Sequence, residues 1–97
     1  MDSLHIASFI GHVEVVKHLL AHPNIKVNLE SSDGETPLSY GCEGGHVSVV
    51  QLLLKDPRVD VTLVDNYGCT PLWWASWNGH HKVIECLVAS DRDWETS

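Results

Sequence analysis

One feature limits this chain more than any other: the sequence repeats itself every 34 residues. Leu4, Leu38 and Leu72 share a phase, as do Gly11-His12, Gly45-His46 and Gly79-His80, then Val15, Val49 and Val83, then Leu19, Leu53 and Leu87. When residues 4–29 are laid on 38–63, eleven of 26 paired positions are identical, Pro23 with Pro57 and Val27 with Val61 among them. A fixed period of this length is the signature of a stacked repeat, in which each unit is one supersecondary motif unable to bury its apolar face alone.

The same local signals recur in each period. Gly34 and Gly68 suit a turn that needs positive φ. Thr36-Pro37 and Thr70-Pro71 follow as helix starts: the threonine oxygen accepts from an orphan amide, and proline at the first helical position loses no intrahelical bond. The spacing predicts a short helix ending at Gly45 or Gly79. A longer helix then begins near His46, with Val49, Val50, Leu53 and Leu54 as its apolar stripe; its counterpart is Val15, Val16, Leu19 and Leu20. Pro23 and Pro57 end the second helices. Ala7, Gly41 and Ala75 are small where the paired helices should approach, and neighbouring pairs must stack to cover their stripes. Leu53, central in sequence and stack, is the expected keystone of the core.

Composition closes off several functions. The 97 residues are 43% hydrophobic and 20% charged, a profile for one folded domain with a thin core. Thirteen acidic against six basic side chains leave a formal charge of −7, a field that repels phosphate backbones and anionic lipid, so neither nucleic acid nor a membrane is an expected partner. Met1-Asp2-Ser3-Leu4-His5 carries an acid where a secretory leader has positive charge, and no apolar run approaches the roughly 18 residues of a membrane span. Cys42, Cys69 and Cys86 form no CxxC pair and cannot all pair within one chain, which suits reduced thiols. No Asn-x-Ser/Thr acceptor occurs. The expected location is intracellular, cytoplasmic or nuclear.

The segments Gly34-Glu35-Thr36-Pro37-Leu38 and Gly68-Cys69-Thr70-Pro71-Leu72, each followed by Gly-His and a Val-Val-x-x-Leu-Leu type run, resemble the ankyrin repeat from Leu4 to about Ala89. The resemblance implies an all-α solenoid of helix-turn-helix repeats joined by β-turn-like loops. Its units would be residues 2–31, 32–65 and 66–91, with a polar tail at 92–97. Against the family's usual period of about 33, the segments 22–28 and 56–62 appear one residue longer, which lengthens a loop and should spare the stack. Three departures matter. The first repeat has Asp2-Ser3 in place of Thr-Pro, and no turn. Its helix leaves Ile6, Phe9 and Ile10 with nothing before them, so either further repeats precede the segment or the array is a fragment. The family's Thr-Pro-Leu-His histidine survives at His5, whereas Ser39 and Trp73 replace it later, putting its usual hydrogen bond in doubt there.

The same resemblance implies a concave binding face made of turn tips and the exposed ends of the inner helices. Carried over by position, its candidates are Phe9 and Ile10 in the first repeat, Glu30, Ser32, Asp33, Glu35 and Glu43 in the second, and Asn66, Tyr67, Cys69, Trp77 and Asn78 in the third. An acidic middle with aromatic or apolar flanks suits a protein or peptide that is basic and carries an apolar anchor. The plainer reading is that charged turns are solvated and that Tyr67 and Trp77 pack within the stack or against missing repeats; at least one of Trp73 and Trp74, adjacent on a helix, should be packing.

Chemistry has little support. His18 and His22 stand four apart on a helix, but two ligands are not a metal site, there is no HExxH, and His12, His46 and His80 belong to the repeat. Cys42 precedes His46 by four residues, yet Gly44-Gly45 intervenes and no third group or oxyanion donor is legible. No enzyme activity, cofactor or metal is expected. The leading expectation is an adaptor or scaffold module that binds another protein. The alternative is a structural spacer, or a piece of a longer array, with no ligand of its own.

Overall fold

In the computed structural model, which describes residues 2–90, six helices follow one another: α1 (Ser3–Ile10), α2 (Val13–Leu20), α3 (Pro37–Gly44), α4 (Val47–Lys55), α5 (Pro71–Trp77) and α6 (His81–Ala89). They form three antiparallel pairs in two layers. The inner layer is α1, α3 and α5 side by side; the outer layer is α2, α4 and α6. No strand occurs among the described residues. This is the all-α, ankyrin-type stack that the resemblance implied. The polar tail at 92–97, Trp94 with it, lies outside the described residues.

Local chemistry sets the helix ends. Thr36 Oγ1 accepts from the Ser39 amide at 3.3 Å, Thr70 Oγ1 accepts from the Trp73 amide at 3.1 Å, and a proline occupies the first turn each time. Asp2 performs the same task for α1 without a proline: its carboxylate accepts from the His5 amide at 3.0 Å, while the Asp2 amide donates back to His5 Nδ1 at 3.2 Å, a reciprocal capping box. At the other end Gly45 caps α3 in the left-handed region, φ 73°. A Cβ there would also lie 2.6 Å from the ring of His80, so the site excludes a side chain twice over. α5 closes one residue earlier than glycine placement suggests, at Asn78.

The core runs continuously through the repeats: Leu4, Ala7 and Val16, then Leu38, Cys42, Val49, Val50 and Leu53, then Ala75, Val83 and Leu87, sealed by Val27, Val59 and Val61 from the loops. Phase alone does not decide burial. Val49 and Val83 are sealed, but Val15 at the same phase is exposed, as are Ile6 and Ile10, because no described element packs on that side of α1 and α2. The loops after the outer helices join the stack laterally. Arg58 donates to the carbonyls of Leu20 and His22 at 2.7 and 3.1 Å, supplying donors to the end of α2, and Asn28 exchanges bonds with Arg58 and Asp60. The loops with the extra residue are thus part of the joint between repeats.

Candidate functional site

The inner face is built from a row that the 34-residue period places in equivalent positions on α1, α3 and α5: Phe9, Glu43 and Trp77. Its register is held by the Gly-His histidines. His46 donates from Nε2 to the Phe9 carbonyl at 2.8 Å, and His80 donates to the Glu43 carbonyl at 3.0 Å. Asn78 adds a bond to the same Glu43 carbonyl at 3.2 Å. Each histidine therefore supplies a donor to an orphan carbonyl at the end of the preceding inner helix and pins one repeat to the next. Period analysis finds these histidines but not their partners, which lie one repeat upstream.

Phe9 is 45% exposed and Trp77 72%, so both ends of the row are open aromatic surface. Trp77 stacks on Trp73, rings 5.2 Å apart and 8° from parallel, and Trp73 in turn meets Trp74 edge-on. Adjacent positions on α5 separate the two roles: Trp73 lies against solvent, while half-buried Trp74 donates from Nε1 to Asp65 at 2.8 Å. At the other flank Phe9 packs edge-on against Tyr40, whose hydroxyl donates to Ser31 Oγ at 2.9 Å.

Between the flanks the face is acidic, and one candidate there is not where an exposed turn tip would put it. Glu35 is only 6% exposed. Its carboxyl accepts from Ser39 Oγ at 3.0 Å and pairs with Glu43. Burial lifts this carboxyl to about 7; the bond to Glu43 adds to the rise, the Ser39 bond opposes it, and the charges of Glu43 and Asp65 add again. Ser39, which replaces the family histidine, has taken up a different bond, turning inward the carboxylate that the turn was expected to present. His5, at the same phase in the first repeat, instead donates from Nε2 to the Leu29 carbonyl. Glu43 is half-buried; its carboxylate pairs with the Glu35 carboxyl, and its Oε2 is shielded from solvent.

The remaining candidates divide into two groups. Glu30, Ser32, Asp33 and Tyr67 are exposed at the turns, with Ile10 exposed at the end of α1. Asn66, Asn78 and Cys69 are occupied structurally. Asn66 donates from Nδ2 to the Ser32 carbonyl at 3.0 Å and from its amide to the Asp33 carbonyl at 2.9 Å, linking the two turn tips. The Cys69 amide donates to Asp65 Oδ1 at 2.9 Å, and its side chain is half-buried. Asp65, Ser39, Tyr40 and Trp73 belong to the same surface and its support, and repeat phase alone does not single them out.

Nucleophilic chemistry finds no footing here. Cys42 is fully buried, its thiol pushed above the ordinary range by that burial, and the His46 ring is committed to the Phe9 carbonyl. Among the described residues no three His, Cys, Asp or Glu side chains gather as metal ligands, and no helix is long and apolar enough to cross a membrane. A groove of about 620 Å³ lies on the outer layer between α4 and α6, lined by Gln51, Leu54, Lys55, Glu85 and Cys86.

Comparison with known proteins agrees with this architecture. The family model for ankyrin repeats (3 copies) matches residues 4–96, and the chain belongs to the ankyrin-repeat family. No curated protein matches the sequence. Among solved structures, the chain is similar to one in the Bd0816 predatory endopeptidase from Bdellovibrio bacteriovorus in complex with immunity protein Bd3460. That likeness has a TM-score of 0.86 and 30% identity, and covers 96% of this chain and 48% of that one. The chain therefore spans about half the length of the one it matches.

Proposed function

We propose that this array is an intracellular adaptor or scaffold module, in the cytoplasm or nucleus, that holds another protein or peptide on the concave side of its inner helices. The observation that carries the reading is the row Phe9–Glu43–Trp77: aromatic surface left open at both ends and an acidic centre between them. Large aromatic side chains contribute much of the binding energy when a partner desolvates them, and their exposure is costly otherwise. The similar solved structure comes from a complex of two proteins, which fits a role in protein contact. The acidic centre favours a basic partner carrying an apolar anchor.

A pull-down from cell lysate tests the reading. The intact chain is compared with a Tyr67→Ser, Trp77→Ser double variant after circular dichroism shows equal helicity. A protein retained by the first and lost from the second supports the face as the functional site; equal retention by both removes it.

A second reading has its own observation. Ile6, Ile10 and Val15 form an exposed apolar surface on the first helix pair, as expected where an ankyrin stack continues. On this reading the segment is a spacer within a longer array, flanked by further repeats. Fusing a consensus repeat ahead of residue 2 should then raise the midpoint of unfolding sharply; an unchanged midpoint would count against it.

A further inference from the structure

The outer layer carries one groove twice. Between α2 and α4 it is lined by Lys17, Leu20, Ala21, Leu52, Lys55 and Asp56, and the residues 34 further along the chain line the groove between α4 and α6. Cys86 and Ala89 stand there in place of Leu52 and Lys55, and the second groove is the larger, about 620 Å³ against about 370 Å³.

At the first groove, the chain leaving α4 ties two repeats together. Asp56 is extended, φ −82° and ψ 117°, and two residues later Arg58 turns back to donate to the Leu20 and His22 carbonyls at the end of α2. The Asp56 carboxylate holds the guanidinium in place, accepting from Nε at 3.0 Å and from Nη2 at 2.7 Å. Arginine suits the task because its planar head presents several donors in a fixed fork, and the last carbonyls of a helix find no partner within the helix.

The chain leaves α6 in the same direction. Ser90 is extended, φ −72° and ψ 150°, whereas Ala21, where the chain leaves α2, is right-handed helical. Two residues beyond Ser90 the sequence has Arg92, at the phase of Arg58; the first repeat, with no earlier outer helix described, has Asn24 at that phase. The counterparts of Leu20 and His22 are Leu54, on the wall of the second groove, and Asp56. Ser90 brings no carboxylate, and its hydroxyl donates to the Leu87 carbonyl at 2.8 Å, but Asp91 and Asp93 flank Arg92 in sequence and Glu85 stands on the groove wall. The neighbouring lateral tie is not carried over by phase. Asn28, which bonds to Arg58 and Asp60, has Thr62 as its counterpart, and the Thr62 hydroxyl donates to Asp60 within its own loop.

We propose that residues 91–93 are a strap across the end of the groove between α4 and α6, in which the Arg92 guanidinium donates to the Leu54 and Asp56 carbonyls. The strap ties the third repeat to the second on the outer layer, as His80 does on the inner layer through the Glu43 carbonyl. It does not depend on what the inner face binds.

Nuclear magnetic resonance of the intact, isotope-labelled chain tests this, with Arg58 as the reference in the same molecule. Overhauser contacts from the Arg92 side chain to Leu54 and Asp56 are expected, matching those from Arg58 to Leu20 and His22. Arg92→Met should remove them and make the amides in the last turn of α6 exchange about tenfold faster, while those of α2 keep the parent's rates. Arg92→Lys, which keeps the charge without the fork, should restore only part of that protection. Because the contacts are read in the parent, the test stands even if a variant folds poorly. An Arg92 side chain without contact to residues 54–56, or equal exchange in Arg92→Met and the parent, overturns the proposal and leaves the groove to another occupant. Contacts that arise only between differently labelled chains overturn it as well, and assign the groove to a second copy.

Discussion

Glu35 is where the chemistry of a single residue departs furthest from its place in the sequence. It stands in the turn before a helix, where carboxylates are ordinarily solvated, yet it is buried against Ser39 and Glu43 and holds its proton up to about 7. The unfolded chain releases that proton near the ordinary value of 4.5, so between 4.5 and about 7 the folded state binds the extra proton. With the folded value raised, this group's contribution to stability is fully present below the unfolded value. It falls as pH rises through that window and levels off above it. Thermal unfolding of the parent and of Glu35→Gln across pH 4 to 8 measures this. The glutamine variant should lose the downward slope that the parent shows over the window, and identical slopes would mean that Glu35 is ionised in the folded chain. The acid is legible in the sequence; its burial is not, because burial depends on Ser39 and on a glutamate two helical turns away at Glu43.

At the scale of the element, each helix pair is locally well specified and globally incomplete. Thr-Pro starts, left-handed glycine ends and apolar stripes define the pairs from short-range chemistry, but every stripe needs a neighbour. The Gly-His histidines turn this requirement into a specific contact, and the first repeat supplies an internal control. His46 donates to the Phe9 carbonyl, whereas the exposed ring of His12, at the same phase, makes no hydrogen bond among the described residues. His46→Ala should therefore cost about 1 kcal/mol or somewhat more, since it leaves an orphan helix carbonyl behind, while His12→Ala should cost almost nothing. Urea denaturation of the two variants beside the parent gives the comparison, and equal losses would show that the histidines act within their own helix. The short α5, closing at Asn78, and the loop bonds of Arg58 are further features that repeat phase does not expose, since their partners lie some 35 residues away.

At the scale of the molecule, the described residues form a stack in which α1·α3·α5 and α2·α4·α6 make two continuous layers over one shared core. Leu53 is fully buried in the middle repeat and contributes to the core that joins its neighbours. Leu53→Ala should remove about 2–5 kcal/mol, most of the stability expected of an array this short, and should abolish a cooperative thermal transition. Calorimetry with circular dichroism would test it; a sharp transition shifted by only a degree or two would show that the outer repeats stand without the middle one. The middle repeat also carries the acidic centre of the inner face, so the residue that holds the stack together lies in the same unit as the acids proposed to favour a basic partner.

By itself the sequence determined the period, the all-α repeat class, where most helices begin and end, though not the close of α5 at Asn78, and which phase is apolar, because caps, glycine turns and stripes act over a few residues. Only the tertiary structure decided which members of a phase are buried, Val49 but not Val15, and which turn acid faces inward. It also decided which of two adjacent tryptophans is open to solvent and which is held by Asp65. Those outcomes depend on what the neighbouring repeat places alongside, a relation that a periodic sequence repeats in outline while the individual side chains change it.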